Sequence, residues 1–307
     1  MERRQLGTSD LYVSKMGLGC MSLGTNQAHA ESIIKAALEA GINYFDTADL
    51  YDFGMNEEIV GKSLQPVRDE VVIATKVGNR WNEQKDGWRW DPSKAYIKEA
   101  VKDSLRRLRV DYIDLYQLHG GTINDPIDET IEAFEELKEE GLIRYYGISS
   151  IRPNVIQTYA EQSNIVSNMM QYSLLDRRPE EWFPLLQEKN ISVICRGPLA
   201  KGLLTTEGWS KASEKVRQEG YLDYSPEECQ ELITQLEEKF NDSRTLNEVA
   251  LQFCLRHEAV AAVIPGASSV EQLKENIRAA ESAALSDEEY EILREITKEQ
   301  KYTAHRP

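Results

Sequence analysis

The stretch NYFDTADLY, Asn43 to Tyr51, decides how this chain is read. It opens as an apolar-aromatic strand, reaches a carboxylate at Asp46 and places a phenol at Tyr51 in the loop that follows. A carboxylate at the end of a buried strand needs a cation or several donors, because an unpaired ion away from water is expensive. Working outward, the run VVIATKV (71–77) is a second apolar strand, and Lys76 near its C-terminal end supplies a cation. A third run, YIDLYQLHGG (112–121), ends with His119 just before two glycines. Asp, Tyr, Lys and His thus fall at or just past three strand ends.

The same alternation runs through the chain. Strand-like runs at 15–21, 43–46, 71–77, 112–119, 143–150, 168–172, 191–197 and 259–267 alternate with helical patterns at 28–41, 56–64, 93–108, 128–141, 152–162 and 179–190. Further helical patterns cover 229–240, 245–257 and 269–280, and a tail helix covers 286–298. Gly41 and Gly141 stand where helices stop, and Pro153 stands where one starts. Strands alternating with helices predict a parallel sheet, and eight units close a barrel. No Gly/Ser linker or composition shift divides the chain, so the expectation is one (β/α)8 TIM barrel domain over 1–307. An N-terminal β-hairpin precedes it, and two long βα loops, 78–92 and 204–228, interrupt it.

Composition narrows the class. No segment approaches the roughly 20 apolar residues that cross a bilayer, and the N-terminus MERRQLGTSD lacks the apolar core of a secretory signal. A cytoplasmic protein is the expectation. The formal net charge of −16 argues against nucleic acid or an anionic membrane as main partner, without excluding a local basic pocket for a phosphate. Cys20, Cys195, Cys229 and Cys254 show no CxxC spacing, so neither zinc nor a disulfide framework is suggested.

In such barrels the active site lies at the C-terminal face of the strands. Asp46, Lys76, His119, Ser149, Gln171 and Arg196 each fall at that end of a different strand. Singly, Asp46 reads as a cap, Lys76 as a snorkelling lysine and His119 as a packed core histidine. Together in one mouth they read as a site. A lysine held against an aspartate keeps positive charge beside the phenol, which favours the phenolate left when Tyr51 gives up its proton. That suits general acid-base work: proton delivery to a carbonyl oxygen as a hydride reaches its carbon, with His119 bonding the same oxygen.

FDTADLYDFGMNEEIVGKSL, VVIATKVG, DYIDLYQLHG, GLIRYYGISS, MQYSLLDR, GPLAKGLLT and VIPGASSVEQLKEN, in that order, resemble the motifs of the aldo-keto reductase superfamily over nearly the whole chain. The closest likeness is to bacterial members that also resemble potassium-channel β subunits. The resemblance implies a nicotinamide cofactor, usually NADPH, bound without a Rossmann domain, and reversible carbonyl-alcohol interconversion. It makes Tyr51 the proton donor, Lys76 and Asp46 its tuning pair, and His119 the residue that orients an aldehyde or ketone substrate. Ser149 and Gln171 match positions that hold the nicotinamide carboxamide. Arg196, Gly197, Leu199 and Lys201 match the pyrophosphate loop; Gly266, Ser268, Gln272, Glu275 and Asn276 match the adenosine segment, where a helix N-terminus favours anions. No metal is implied, and relatives of this length imply a monomer.

The chain departs from that pattern at three positions. Arg196 stands where most relatives carry an aromatic residue, and an arginine plane can also stack. The neutral segment GASS (266–269) lacks the Arg or Lys that many relatives place near Ser268 for a 2′-phosphate, so NADH stays open beside NADPH. Ser150 replaces a common Asn or Arg.

Other patterns carry less. Gly61-Lys62-Ser63 lacks the glycine a phosphate loop needs at position 56, and GLGCMSLG (17–24) has Ser22 where a dinucleotide fingerprint has glycine. Trp81, Trp88 and Trp90 either line a pocket or pack the first long loop, and the polar second loop reads as a mobile flap near the pyrophosphate. Two rival functions stand beside the reductase: a cofactor-bound sensor or auxiliary subunit with incidental turnover, and a barrel lyase or hydrolase using the Lys76 amine or a metal.

Overall fold

The computed structural model describes residues 1–240 and 242–306. Eight parallel strands pair in chain order into one sheet. They are Leu18–Gly19, Tyr44–Asp46, Val72–Val77, Ile113–Leu118, Ile143–Ile148, Ser167–Gln171, Ser192–Arg196 and Val260–Ile264. The sheet curls until the last strand meets the first. Parallel bridges join Met16 to Val263 and Gly19 to Gly266, and Gly17 N–H donates to Val263 O while Val263 N–H donates to Lys15 O, both at 2.9 Å. Residues buried on both faces explain why these strands read as unbroken apolar runs: every residue of Val72–Val77 and Val260–Ile264 is buried.

The lumen has its own core. Tyr44, Val72, Leu115, Met169, Ile194 and Ala262 pack there with Leu6, Leu11 and Val13, which the N-terminal hairpin (Arg3–Gln5 with Tyr12–Ser14) inserts among them. Asn43 fastens that hairpin beneath the second strand, its Oδ1 accepting from Ser14 N–H at 2.7 Å and its Nδ2 donating to Tyr12 O at 2.8 Å. Around the barrel lie amphipathic helices with recognisable starts. Ser93 caps Lys94–Leu108, which buries Tyr96, Ile97, Ala100, Val101, Ser104 and Leu108 at helical spacing. Thr245 and Glu248 form a capping box for Leu246–Arg256, and Ser286 and Glu289 form another for Asp287–Ile296.

Register sets up the mouth. Asp46 pairs with Gly19 and Ala74, Lys76 with Gln117, Gln117 with Gly147, Gln171 with Arg196, and Arg196 with Ile264. Three elements differ from the sequence reading. The loop over 78–92 is an antiparallel hairpin, Asn79–Trp81 against Trp88–Trp90. The helix expected over 179–190 is a 3-10 turn, Arg178–Trp182, followed by an α-helix, Phe183–Glu188, because Pro184 fits only the first turn, where its missing N–H costs nothing. The insertion over 204–228 holds a short helix, Glu214–Glu219, and buries Val216, Tyr221 and Tyr224.

Candidate active site

The second barrel strand ends at Asp46, and the third carries Lys76 beside it; both side chains are almost wholly buried. Lys76 Nζ donates to Asp46 Oδ1 at 2.6 Å, to Thr47 O at 2.7 Å and to Tyr51 OH at 3.3 Å. Asp46 Oδ2 accepts from Gln117 Nε2 at 3.2 Å. Burial alone would discharge Lys76, but Asp46 and Tyr51 outweigh it and hold the ammonium above its ordinary value. A fixed positive charge therefore sits against the phenol oxygen.

Tyr51 reaches this point because its loop is pinned. Thr47 Oγ1 donates to Asn56 Oδ1 at 2.7 Å, and Asn56 Nδ2 donates to Cys20 O at 2.9 Å. Just after Tyr51 the backbone turns left-handed at Asp52 and Phe53, with φ of 48° and 51°, a conformation that persists only where surroundings impose it. The next residues begin a helix, Met55–Leu64, anchored by the buried Glu57, which accepts from Arg107 Nε at 2.6 Å and Thr75 Oγ1 at 2.5 Å. Behind the loop, burial and the Glu57 carboxylate push Asp49 well above the usual carboxylate range.

His119 meets the Tyr51 ring edge-on, with centroids 6.0 Å apart. Burial, then the charges of Lys76 and Arg196, lower its pKa to about 3, so the imidazole is neutral. Its Nδ1 is buried without a partner among the described residues. An unpartnered acceptor is tolerated better than an unpartnered donor, which leaves Nε2 to carry the single proton.

These groups open into a cavity of about 750 Å³ lined by Asp46, Tyr51, Lys76, His119, Ser149, Gln171 and Arg196. A second cavity of about 400 Å³ is lined by Leu199, Gln272, Glu275 and Asn276. Ser22, Gly197, Lys201 and Gly266 line both, so the two form one elongated groove. Its far end meets the N-terminus of a helix, Val270–Glu281, capped by Ser269. Of the catalytic and cofactor residues implied by the family resemblance, Ser268 stands outside both linings; its N–H and Oγ each donate to Gln272 Oε1 at 2.9 Å. Gln171 is already engaged: Arg196 Nη1 donates to its Oε1 at 2.9 Å, and its Nε2 donates to Asp176 Oδ2 at 2.9 Å.

The groove fits an elongated dinucleotide. Gly202, at φ of +90°, faces open space, and a Cβ on Gly197, at φ of +65°, would meet only Gln171 Cγ at 3.8 Å, so backbone can approach a ligand closely there; Lys201 lines both cavities at the waist between them.

Several neighbours escaped the sequence reading. Gln117 lies two residues before His119, so strand alternation alone marks it as sharing a face. Asn168, which accepts from Ser150 N–H at 3.2 Å, and Arg152, on the cavity wall, carry no comparable local signal. The tryptophans divide: Trp88 lines the cavity, Trp90 donates to Asp125 Oδ1 at 2.9 Å, and Trp81 packs edge-on against Phe53.

A parallel barrel whose strand ends hold a carboxylate–ammonium–phenol chain beside a dinucleotide-shaped groove defines a barrel oxidoreductase dependent on NAD(P)H. Residues 15–298 match the model of the aldo/keto reductase family, and the chain belongs to that family. It is 62% identical over 306 residues, covering 100% of both chains, to "Uncharacterized oxidoreductase YqkF" of Bacillus subtilis (strain 168). It is 33% identical, covering 96% of this chain and 98% of the other, to "NADH-specific methylglyoxal reductase" of Escherichia coli (strain K12). Among solved structures it resembles the holo form of aldo-keto reductase AKR11C1 from Bacillus halodurans, with 60% identity, full coverage of both chains and a TM-score of 0.94.

Proposed function

We propose that this chain reduces an aldehyde or ketone to the alcohol, with Tyr51 as proton donor, and that residues 1–307 act as one unit. The observation that carries the reading is the contact chain Asp46–Lys76–Tyr51, at 2.6 and 3.3 Å, in the wall of the 750 Å³ cavity. A reduced nicotinamide, held in the groove, would supply the hydride for the carbonyl carbon. Tyr51 OH gives its proton to the carbonyl oxygen, and the adjacent Lys76 ammonium stabilises the charge left on the phenol. Asp46 keeps Lys76 charged, and Gln117 keeps Asp46 oriented. His119, neutral with its proton on Nε2, donates a hydrogen bond to the same carbonyl oxygen and fixes its approach.

The residues proposed to hold the cofactor follow the groove. Ser149 and Gln171 serve the carboxamide, Arg196 the nicotinamide face, and Gly197, Leu199 and Lys201 the pyrophosphate. Gly266, Ser268, Gln272, Glu275 and Asn276 serve the adenosine half. NADPH is the cofactor proposed from the family likeness. The second reading, NADH, is favoured by one observation: the adenosine-side cavity is lined by two carboxylates, Glu207 and Glu275, and one ammonium, Lys201.

The test follows oxidation of NADPH and of NADH by a panel of aldehydes, with wild type and Tyr51→Phe. The variant is expected to bind cofactor as wild type does and to lose at least about 100-fold in turnover, the usual scale of general acid catalysis. Retained turnover in Tyr51→Phe would end this mechanism, and tighter NADH than NADPH binding would decide the cofactor reading.

A further inference from the structure

We propose that Arg152 receives a carboxylate at the far end of the substrate, so that the preferred substrates are oxo acids, aldehydes or ketones bearing a carboxylate on the same chain. The inference rests on the reductase reading above and adds the substrate class to it.

Arg152 follows the fifth barrel strand and lines the large cavity together with His119, Gly121 and Trp88. The proposed cofactor residues run from Ser149 and Gln171 to the loops after the seventh and eighth strands, and Arg152 lies past Ser149 on the stretch of wall that includes His119, Gly121 and Trp88, none of them assigned to the cofactor. Its Nη1 donates to Gly121 O, which holds the guanidinium beside the turn that carries His119. Among the described residues, Nε and Nη2 have no hydrogen-bond partner and no carboxylate lies within 4.0 Å of the group.

That free edge is the one this protein uses on carboxylates elsewhere. Arg177 with Glu180, Arg178 with Asp176 and Arg244 with Glu289 each present Nε and Nη2 to the two carboxylate oxygens. The parallel fork matches a carboxylate in geometry as well as charge. The charges around the cavity agree. Its lining holds Lys76, Arg152, Arg196 and Lys201 against one carboxylate, Asp46, and that carboxylate is occupied by Lys76 and Gln117. In a chain of net charge −16 this mouth is a local exception that draws anions.

The bland alternative is that Arg152 only pins the His119–Gly121 turn. The experiment separates the two by comparing ω-oxo carboxylates of three to six carbons with neutral aldehydes of the same chain length, in wild type, Arg152→Gln and Arg152→Lys. Wild type is expected to favour an oxo acid at one chain length. In Arg152→Gln the ratio of kcat/KM for that acid over its neutral partner should fall at least about tenfold, mainly through KM, the loss expected of a charge-assisted contact. Arg152→Lys should recover part of it. An equal loss on both substrates, or an unchanged ratio, overturns the proposal and leaves Arg152 a structural pin. A second measurement needs no variant: butanoate should inhibit butanal reduction competitively in wild type, more strongly than butanamide, and equal inhibition overturns the proposal. If wild type binds cofactor yet reduces neither set, the reductase reading itself fails and the inference falls with it.

Discussion

At the scale of single residues, the buried Asp46–Lys76 pair decides most of what the site can do. Each ion is tolerated only because the other is 2.6 Å away. Asp46→Ala should therefore cost about 3–5 kcal/mol, the penalty of stranding a buried charge, whereas the double change Asp46→Leu with Lys76→Met should cost less than either single one. Urea unfolding of the three variants checks the order. His119 gives a second, independent signature. Its folded pKa of about 3 lies below the ordinary 6.5, so the unfolded chain takes up a proton that the folded chain refuses. Stability from this group is complete above about pH 6.5 and is lost as pH falls toward 3. Between pH 7 and pH 4.5 wild type should lose roughly 2–3 kcal/mol more than His119→Gln, measured by denaturant titration at each pH. These residues were legible in the sequence because each is an ionisable or aromatic group at the end of an apolar run, where only a partner makes it affordable. Gln117 and Arg152 were not singled out: one hides inside a strand, and the other sits in a polar loop where an arginine is unremarkable.

At the scale of elements, the hairpin Asn79–Trp81 with Trp88–Trp90 both lines the site, through Asn79 and Trp88, and supports it from behind. Trp90 lies over two glycines; a Cβ on Gly78 would come within 2.6 Å of its ring, and one on Gly120 within 3.4 Å. Its indole N–H is held by Asp125, which also accepts from Thr122 N–H and Oγ1, both at 2.6 Å. Trp90→Ala should uncover the backbone beside His119, cost about 3 kcal/mol in stability and lower kcat/KM without weakening cofactor binding. Thermal melts and steady-state kinetics measure the two effects separately. The helices and barrel strands were read with ends shifted by a few residues, since hydrophobic period and caps are local. The hairpin was missed because a loop with three tryptophans can pack in many ways, and its pairing depends on what lies beneath.

At the scale of the molecule, the C-terminal tail reaches back to the site through a chain of contacts. Tyr302 is buried under the Arg178 guanidinium, 5.0 Å from its ring centre, and Gln300 Oε1 accepts from Arg177 N–H at 3.2 Å. Arg178 in turn clasps Asp176 through two bonds of 2.7 Å, and Asp176 holds Gln171. Truncation after Thr297 should keep the far-UV circular dichroism of the barrel and weaken cofactor binding by about tenfold, the scale of one lost buried hydrogen-bonded contact. Fluorescence titration of the truncated chain is the check. The sequence by itself determined the eightfold strand-helix alternation, hence a parallel barrel, and the kinds of residue at the strand ends, because period and end position are local properties of a chain. Tertiary structure alone decided which of those ends meet. Lys76 reaches Asp46 across 30 positions and Gln117 reaches it across 71, and such contacts depend on register and closure, set by how the whole sheet packs on its lumen and its helices. The same packing set Arg152 in the cavity wall beside His119, a position no spacing of residues along the chain encodes.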